Sequence, residues 1–395
     1  MSLMPLSLSR HASSPITIND HKWRFRHRTT LQNTNPTHIP SSSFVATSST
    51  KLNAVTRPIR SQLNQTPNHV TKAASAAATA EVLVSDTTVT DTVTDTRQTL
   101  MSDLEKKRNA GFWFRDWDMV DVTHLSLMIG KHALAVVAPF VVNWGALWVT
   151  VILTFFSGMG VTLGYHRLLT HRSFKLPKWL EYFFAYCGVH AGQRDPIFWV
   201  SVHKNHHKYS DTEKDPHSPR EGFWFSHMGW FHYNDYLATK CGESKSGQYS
   251  NVPELKAQWF YRFLHDTYVW HTIGLGAVLY MLGGLPYLAW GMGMRAVLVN
   301  HFTFCATSVC HIWGNRPWKT RDTSTNNWWV ALFTFGEGWH NNHHAFPSSA
   351  CHGMEWWQLD MTWELIKFLE MVGLAKDIKL PSKAEKERMI LACAN

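Results

Sequence analysis

The sequence has few charged residues, and most of its excess of basic over acidic residues lies in the N-terminal 80 residues. Charged residues make up 17% of the 395 residues, a smaller share than in most soluble domains. The formal net charge is +9, and residues 1–80 hold nine Lys and Arg but only one acid. The remainder of the chain is nearly neutral, which excludes a nucleic-acid-binding surface on the folded body.

Motifs for disulfides, haem and dinucleotides are also missing. The six cysteines form no C-x-x-C pair, so we expect no disulfide framework. The sequence has no His-Pro-Gly-Gly haem motif and no glycine-rich dinucleotide motif. Any electrons used by this chain must therefore come from another protein.

Long apolar stretches are present instead. Residues 122–166 contain one charge, Lys131, and residues 267–315 contain one, Arg295. A bilayer crossing needs about 20 apolar residues, so each stretch can cross twice, with turns at 143–145 and within 283–293. We predict an all-α membrane protein with four transmembrane helices in two hairpins. Polar segments 167–266 and 316–380 would form a helical cap on one side.

The N-terminal segment has the composition of a targeting sequence. Residues 1–80 contain 23 Ser and Thr, and with their arginines they resemble an organelle transit peptide, more chloroplast than mitochondrial. We predict a transit peptide at 1–75, a disordered linker at 76–110, a membrane domain at 111–380 and a C-terminal tail at 381–395. A disordered N-terminal tail is the alternative.

Histidine is in excess, with 24 residues. Three clusters occur beside the apolar stretches, and two hairpins would place all three on one side of the membrane. The clusters are H-x4-H at His166 and His171, H-x2-H-H at His203, His206 and His207, and H-x2-H-H at His340, His343 and His344.

The spacing of these histidines predicts two metal ions. On a helix, positions i, i+3 and i+4 share a face, so each H-x2-H-H directs two imidazoles one way while the third can reach a neighbouring ion. Eight imidazoles are too many for one ion, and two ions would each have four or five nitrogens. Imidazole suits Zn, Cu, Fe and Ni. A paired site with this many ligands indicates redox chemistry with O2, and hence iron.

The residues around the clusters form longer motifs. In chain order these are 164–171 (GYHRLLTH), Trp199 with 203–210 (HKNHHKYS), 215–217 (DPH), 222–227 (GFWFSH) and 336–347 (GEGWHNNHHAFP). Together they resemble the membrane fatty acyl desaturases of the stearoyl-CoA desaturase type. The chain looks most like the plant acyl-CoA-desaturase-like enzymes. With its transit peptide it resembles their plastid branch, the palmitoyl-monogalactosyldiacylglycerol delta-7 desaturases.

This resemblance implies a di-iron (Fe2+) centre with nine histidine ligands, the ninth being His311, and no catalytic residue beyond them. It implies an O2-dependent enzyme that introduces a cis double bond into a saturated acyl chain. The expected substrate is C16 palmitoyl on monogalactosyldiacylglycerol, at delta-7, in a multi-pass chloroplast membrane protein that receives electrons from ferredoxin. The alternative is a delta-9 acyl-CoA desaturase of the endoplasmic reticulum membrane with a b-type cytochrome as donor.

The sequence departs from the family pattern at two places. Where the family usually has Asn, four residues before the ninth histidine, this chain has Thr307. The positions that contact the CoA head group in animal enzymes read Arg194, Ser201, Val202, Asn234 and Asp235. The charged pairs of those enzymes are absent, which favours a lipid-bound chain over free acyl-CoA.

Further residues are candidates for the substrate tunnel and for orienting the ligands. Trp199 would line the tunnel, and Thr150 and Thr154 would form its floor unless they only pack between helices. The acids expected to hold imidazoles are Asp195, Asp215 and Glu337, and His301 is interpreted as a packed or interfacial histidine. A related hydroxylase or alkane monooxygenase, and a non-catalytic metal-binding or scaffold protein, stay open at this point.

Overall fold

The computed structural model describes residues 114–241 and 247–394, and these fold as helices. Within these ranges the only β-type pairings are isolated bridges. The predicted transit peptide at 1–75 and linker at 76–110 lie outside the described residues. A helix, Lys383–Ala394, lies where the C-terminal tail is predicted.

The helices have the following bounds. They are α1 Met119–Val137, α2 Trp144–Met159, α3 Lys178–Val189, α4 Pro196–Tyr209, α5 Phe223–His227, α6 Asn234–Lys240, α7 Pro253–Lys256, α8 Trp259–Leu288, α9 Arg295–Thr307, α10 Trp328–Phe333, α11 His340–Ala345, α12 Met361–Met371 and α13 Lys383–Ala394. Two π-helical segments, Gly160–Thr170 and Ala289–Met294, continue α2 and α8, and 3-10 turns occur at Ala138–Val141, Pro219–Glu221, Gly229–His232 and Val309–His311.

In the part of the chain that the structure describes, three helical stretches are long and apolar enough to cross a membrane: Met119–Val141, Trp144–Thr170 and Trp259–His311. The first two are joined by a turn that falls where the sequence predicts it. Asn143 begins α2 there, and its side-chain oxygen accepts a hydrogen bond from the Ala146 backbone N–H at 2.8 Å. A cap of this kind satisfies an otherwise unpaired amide at the helix start.

The third stretch folds back on itself at Gly284. Its 53 residues would extend about 80 Å as a straight helix, whereas a bilayer core is about 30 Å thick. Gly284 has φ 64° and ψ −152°, a conformation that glycine adopts without steric cost. Beyond it the chain returns, so that a Cβ on Gly291 would lie 2.7 Å from the Leu279 Cδ1 atom. The break predicted in this stretch is therefore present, and four crossings remain a prediction.

The polar segments that are predicted to form the cap pack against the π-helical end of α2. The apolar core there is formed by fully buried side chains from separate elements, among them Leu163, Tyr165, Val200 and Ile366. Gly160 packs against the backbone of Gly188 in α3, where no side chain would fit. This close packing fixes the π-helical segment that carries the first predicted histidine ligand.

Candidate metal centre

The nine predicted ligands lie in two groups, each with its ring nitrogens turned inward. Group one consists of His166, His171, His203, His207 and His343, and group two of His206, His311, His340 and His344. Within each group one nitrogen per ring lies within 4.8 Å of all the others. The division into five and four matches the number of nitrogens that the sequence assigns to each of two ions.

The Nε2 atoms in group one approach one another closely. His207 Nε2 lies 2.8 Å from His343 Nε2 and 3.0 Å from His203 Nε2. His166 Nε2 lies 3.0 Å from His343 Nε2, and His171 Nε2 lies 3.2 Å from His203 Nε2. An ion about 2.1 Å from two nitrogens at a right angle would separate them by about 3.0 Å, so these spacings fit a shared ion.

Group two has the same arrangement. His311 Nε2 lies 3.1 Å from His340 Nε2, and His206 Nε2 lies 3.3 Å from His344 Nε2. His311 sits at the end of the third apolar stretch, in the turn Val309–His311, at the position that the family resemblance indicates. A histidine at the end of a candidate membrane span thus meets three others from α4 and α11.

Helix geometry explains how each H-x2-H-H contributes to both groups. His203 and His207 are four residues apart on α4 and lie on one face, so both join group one. His206 is rotated about 100° from His207 and joins group two. In α11 the assignment is reversed, since the outer histidines join group two and the middle one joins group one.

The H-x4-H spacing requires the π-helix. In an α-helix, residues five apart point in clearly different directions. In the π-helical segment Gly160–Thr170 the hydrogen bonds run between residues five apart, and the His171 backbone N–H donates to the His166 carbonyl at 3.1 Å. The two rings therefore lie side by side, with centroids 4.8 Å apart. This conformation, which the sequence does not reveal, brings both into group one.

Buried carboxylates contact the outer nitrogen of four rings. The pairs, with the distance from Nδ1 to the nearest carboxylate oxygen, are His166–Glu337 at 2.6 Å, His206–Asp215 at 3.0 Å, His311–Asp211 at 3.1 Å and His344–Asp322 at 2.8 Å. Asp215, Asp211 and Asp322 each accept a hydrogen bond from Nδ1, so the Nδ1 atoms of His206, His311 and His344 carry the proton, while Glu337 lies at ion-pair distance from His166. The Nε2 lone pair then points inward, which is the arrangement that metal-binding histidines show in proteins.

This tautomer assignment is the best test of whether the rings fit a metal. In their neutral forms His206 and His344 both donate from Nδ1 to carboxylates, so their Nε2 lone pairs face each other across 3.3 Å. Two acceptors cannot form a hydrogen bond, and their mutual repulsion in a buried site is costly. A cation between them removes this conflict, so the residues fit a metal ion.

The electrostatics of group one also suit metal binding. Burial, reinforced by neighbouring imidazoles, lowers the pKa of His171, His203, His207 and His343 well below the ordinary value. The rings are therefore neutral near pH 7 with their lone pairs free, as a metal ligand must be.

In group two a carboxylate changes this balance. Burial would lower the pKa of His206, but the Asp215 carboxylate outweighs it and the pKa is raised. Burial would likewise raise the pKa of Asp215, yet the charge and hydrogen bond of His206 hold it below its ordinary value. Asp215 is therefore ionised, and it contributes negative charge that favours a cation at group two.

Two small cavities lie beside the groups. One, of about 60 Å³, is lined by Trp199, by Thr307 and by histidines of both groups. The other, of about 40 Å³, continues from Trp199 to Gln193 and Phe198. A water molecule occupies about 30 Å³, so this space admits O2 or a few methylene groups. Both cavities are lined by Trp199, and a tunnel for an acyl chain stays a prediction.

The structure places the tunnel candidates differently. Trp199 lines both cavities, stacks on His203 with centroids 4.9 Å apart, and donates from Nε1 to Gln193 at 3.1 Å. Thr150 and Thr154 lie partly buried on α2 and line neither cavity. The Thr150 hydroxyl instead donates to the Ala146 carbonyl at 2.9 Å.

The acids expected to orient imidazoles are partly found. Asp215 and Glu337 contact ligands, whereas Asp195 caps α4, accepting from the backbone N–H groups of Ile197 at 2.9 Å and Phe198 at 3.0 Å. Sequence reasoning missed Asp211 and Asp322, which lie in irregular segments where spacing carries no signal.

Two further buried histidines also escaped the sequence reasoning. His352 Nδ1 lies 3.2 Å from Glu337, and His217 Nδ1 lies 3.7 Å from Asp215. The 215–217 (DPH) motif carried a signal for His217, whereas His352 has none. Each shares its carboxylate with a histidine of one group.

Comparisons with known proteins agree with this geometry. A model of the fatty acid desaturase family matches residues 142–375. The chain is 52% identical over 73% of its length to delta-9 acyl-lipid desaturase 2 of Arabidopsis thaliana, covering 92% of that protein. It is 51% identical over 75% of its length to the chloroplastic palmitoyl-monogalactosyldiacylglycerol delta-7 desaturase of the same plant, covering 79% of it. It is 53% identical over 70% of its length to an acyl-CoA C20 delta-5 desaturase of Anemone leveillei, covering 88% of it.

Proposed function

This chain belongs to the fatty acid desaturase family and is therefore an oxidoreductase, and we propose that its two histidine groups hold a pair of iron ions. The observation that carries this proposal is the set of Nε2 lone pairs converging at 2.8 to 3.3 Å in both groups. The ions, when bound, activate O2 so that two hydrogens can be removed from an unactivated pair of methylene groups. Two external electrons and two protons complete the reduction of O2 to water.

The protein's own residues position the reacting parts. The four carboxylates fix the ring orientation of their histidines, and Trp199 forms one wall of the cavity next to both groups. Thr307 lines the same cavity, where its hydroxyl donates to the Ser226 carbonyl at 2.6 Å. His206, His311 and His340 of group two and His166 and His343 of group one are buried, which limits the access of bulk water to this part of the site.

We propose that the chain crosses the membrane four times, with the cap on one side. The bend at Gly284 divides the third apolar stretch into two antiparallel limbs, each about long enough for a bilayer. With two crossings in each hairpin, all three histidine clusters share one side of the membrane, as their convergence in two groups requires. Cysteine labelling of loop positions tests this: equal access of the two hairpin turns from the side opposite the cap is expected.

The proposed substrate is palmitoyl on monogalactosyldiacylglycerol, desaturated at delta-7 in a plastid membrane. Residues 1–80, with their Ser, Thr and Arg, support import into a plastid. The delta-7 relative also extends well beyond the matched region, since the match covers 79% of it, against 92% of the delta-9 relative. In a plastid the electron donor would be ferredoxin.

The experiment is a fatty-acid profile, resolved by lipid class, after expression of the full chain in a plastid-bearing host. A new C16 monounsaturated chain confined to galactolipid is expected. It should vanish in the His206→Ala, His207→Ala double variant, which removes one ligand from each group. His301→Ala is the matched control, because His301 hydrogen-bonds to His132 and His227 and belongs to neither group. Loss of product in the control as well would point to misfolding.

A second candidate is an acyl-CoA or acyl-lipid desaturase of the endoplasmic reticulum, with a b-type cytochrome as donor. It is favoured by the similar identities of the delta-9 acyl-lipid relative, at 52%, and the acyl-CoA relative, at 53%. New unsaturation spread through acyl-CoA and phospholipid pools would support it. A fluorophore fused to the C-terminus, with the N-terminus intact, separates the two by organelle.

A further inference from the structure

A lipid-facing groove lies between α1 and α8, outside the histidine groups. It has a volume of about 340 Å³, and both helices belong to candidate membrane spans. It follows α1 from His124 to Leu134, ten residues or about 15 Å of helix, and Leu288 and Met292 close its deep end. Its length and apolar walls suit an acyl chain lying along the helices.

The cap end of the groove is polar and has unused hydrogen-bond donors. Arg194 and His124 line it, and each is 5% exposed. Arg194 donates to Asn234 at 3.2 Å and His124 Nε2 pairs with the Tyr268 hydroxyl at 2.7 Å, but Arg194 Nε and His124 Nδ1 have no partner in the described part of the chain. Arg194 forms no ion pair there, whereas Lys131, farther along α1, donates to the Asn300 side-chain oxygen at 2.8 Å. Buried donors of this kind require acceptor oxygens.

The groove is adjacent to the cavities beside the histidines. The Arg194 guanidinium lies over the Phe198 ring, with Cζ 3.6 Å from the centroid. Arg194 lines the groove, while Phe198 lines the cavity that reaches Trp199 and His203. A molecule with two acyl chains joined at a polar centre can therefore place one chain on each side of this pair.

We propose that the groove binds one acyl chain of a two-chain membrane glycerolipid, with the ester oxygens at Arg194 and His124, while the other chain reaches the histidine groups. This inference rests on the proposed function, and it narrows the substrate to a lipid-linked chain. An acyl chain gains little by moving from lipid into an apolar groove, so the donors at the cap end supply the selectivity. An acyl-CoA has one chain and would leave the groove empty.

Two glycines provide a matched test. A Cβ on Gly130 or on Gly274 would meet no atom within 4 Å, so a leucine fits at either position without displacing the backbone. Gly130 lines the groove, whereas Gly274 lines a separate cavity between α2, α3 and α8. Gly130→Leu therefore fills the groove, and Gly274→Leu adds the same side chain elsewhere on the lipid-facing surface.

The measurement uses full-length protein in phosphatidylcholine vesicles that contain monogalactosyldiacylglycerol with a photoreactive group on one acyl chain. We expect photolabelled peptides from α1 and α8, and about tenfold less labelling in Gly130→Leu, because the leucine side chain occupies the groove. Gly274→Leu should match the wild type. Desaturation of the lipid should fall in parallel, while activity on palmitoyl-CoA supplied in micelles should not.

A second variant tests the polar end independently. Arg194→Gln keeps a side-chain donor but removes the positive charge and weakens the contact of residue 194 with the ester oxygens, leaving the contact from His124. We therefore expect a higher KM for the lipid, with the iron content per chain unchanged. Equal labelling of the Gly130→Leu and Gly274→Leu proteins, or labels confined to other helices, would refute the proposal that the groove binds an acyl chain. Groove-dependent labelling by a protein that holds no iron would instead uphold the groove and refute the proposed function.

Discussion

Replacing Asp322 by Asn should weaken the metal at group two and leave group one intact. The Asp322 carboxylate accepts from His344 Nδ1 at 2.8 Å, and its other oxygen accepts from the Ser324 hydroxyl at 2.5 Å. Burial would raise the pKa of Asp322, but the hydrogen bond from His344 holds it below its ordinary value, so the group is charged near pH 7. Asparagine keeps the shape and removes the charge.

The expected size of this effect follows from the role of such a carboxylate. Removing a partner that orients a metal-bound histidine typically lowers metal affinity about 10- to 100-fold, or roughly 1.4 to 2.7 kcal/mol. Glu337→Gln should produce a similar loss at group one, because Glu337 contacts His166 there. The two variants should therefore each weaken one ion of the pair.

The assay is a chelator titration of full-length protein loaded with ferrous iron, with iron per chain measured by mass spectrometry. The wild type should lose its ions at high chelator concentration, whereas Asp322→Asn should lose one ion at about 10- to 100-fold less chelator. Glu254→Gln is the control, because Glu254 pairs with Lys204 at 2.7 Å on the cap surface and touches neither group. An Asp322→Asn protein that retains both ions as the wild type does would refute the reasoning.

Three further substitutions test the packing around the site by thermal unfolding in detergent. Gly293→Ala should lower Tm, because its Cβ would lie 2.6 Å from the Ala135 backbone nitrogen and overpacking of this kind costs about 1 to 3 kcal/mol. Gly130→Ala is the control and should leave Tm unchanged, since its Cβ would lie in open space. An unchanged Tm in Gly293→Ala would contradict the close helix contact. Arg167→Met should lower the free energy of unfolding by about 3 to 5 kcal/mol. The substitution leaves the buried carboxylates of Glu337 and Asp360, which lie 3.0 and 2.9 Å from the guanidinium, without their cation. A stable variant that keeps its iron would show that another group balances these charges. Thr307→Val should lower the free energy of unfolding by about 1 to 3 kcal/mol, because it removes the donor to the Ser226 carbonyl. The iron content per chain should not change. A loss of iron would mean that the hydroxyl helps to hold the metal.

Much of the helical framework could be predicted from apolar length and turn residues. The uninterrupted apolar stretches around Lys131 and Arg295 predicted the long helices. The turn residues at 143–145 and within 283–293 predicted the two places where the chain reverses. Helical spacing and the family motifs both indicate eight of the histidines that converge in the two groups, whereas His311 followed from the family resemblance alone. Apolar length, turn residues and helical spacing are local properties of the sequence, and the structure follows them directly.

The rest depends on tertiary packing, which residue types do not encode one by one. The π-helical conformation of Gly160–Thr170 aligns His166 with His171, but no residue in it distinguishes it from an α-helix. Asp211 adopts a positive φ of 56° in an irregular segment, where its distance from His311 cannot be deduced from spacing. Asp195 shows the reverse case, since an acid before a proline is also a common helix cap.

The most direct test of the two-group site is the iron content of the purified protein beside that of the His206→Ala, His207→Ala variant. His206 belongs to group two and His207 to group one, so the double substitution removes a ligand from both. We predict two iron ions per chain in the active wild type, and strongly reduced iron together with lost desaturation in the variant. A wild-type protein that desaturates acyl chains with fewer than two ions per chain, or a double variant that keeps both, would contradict the account.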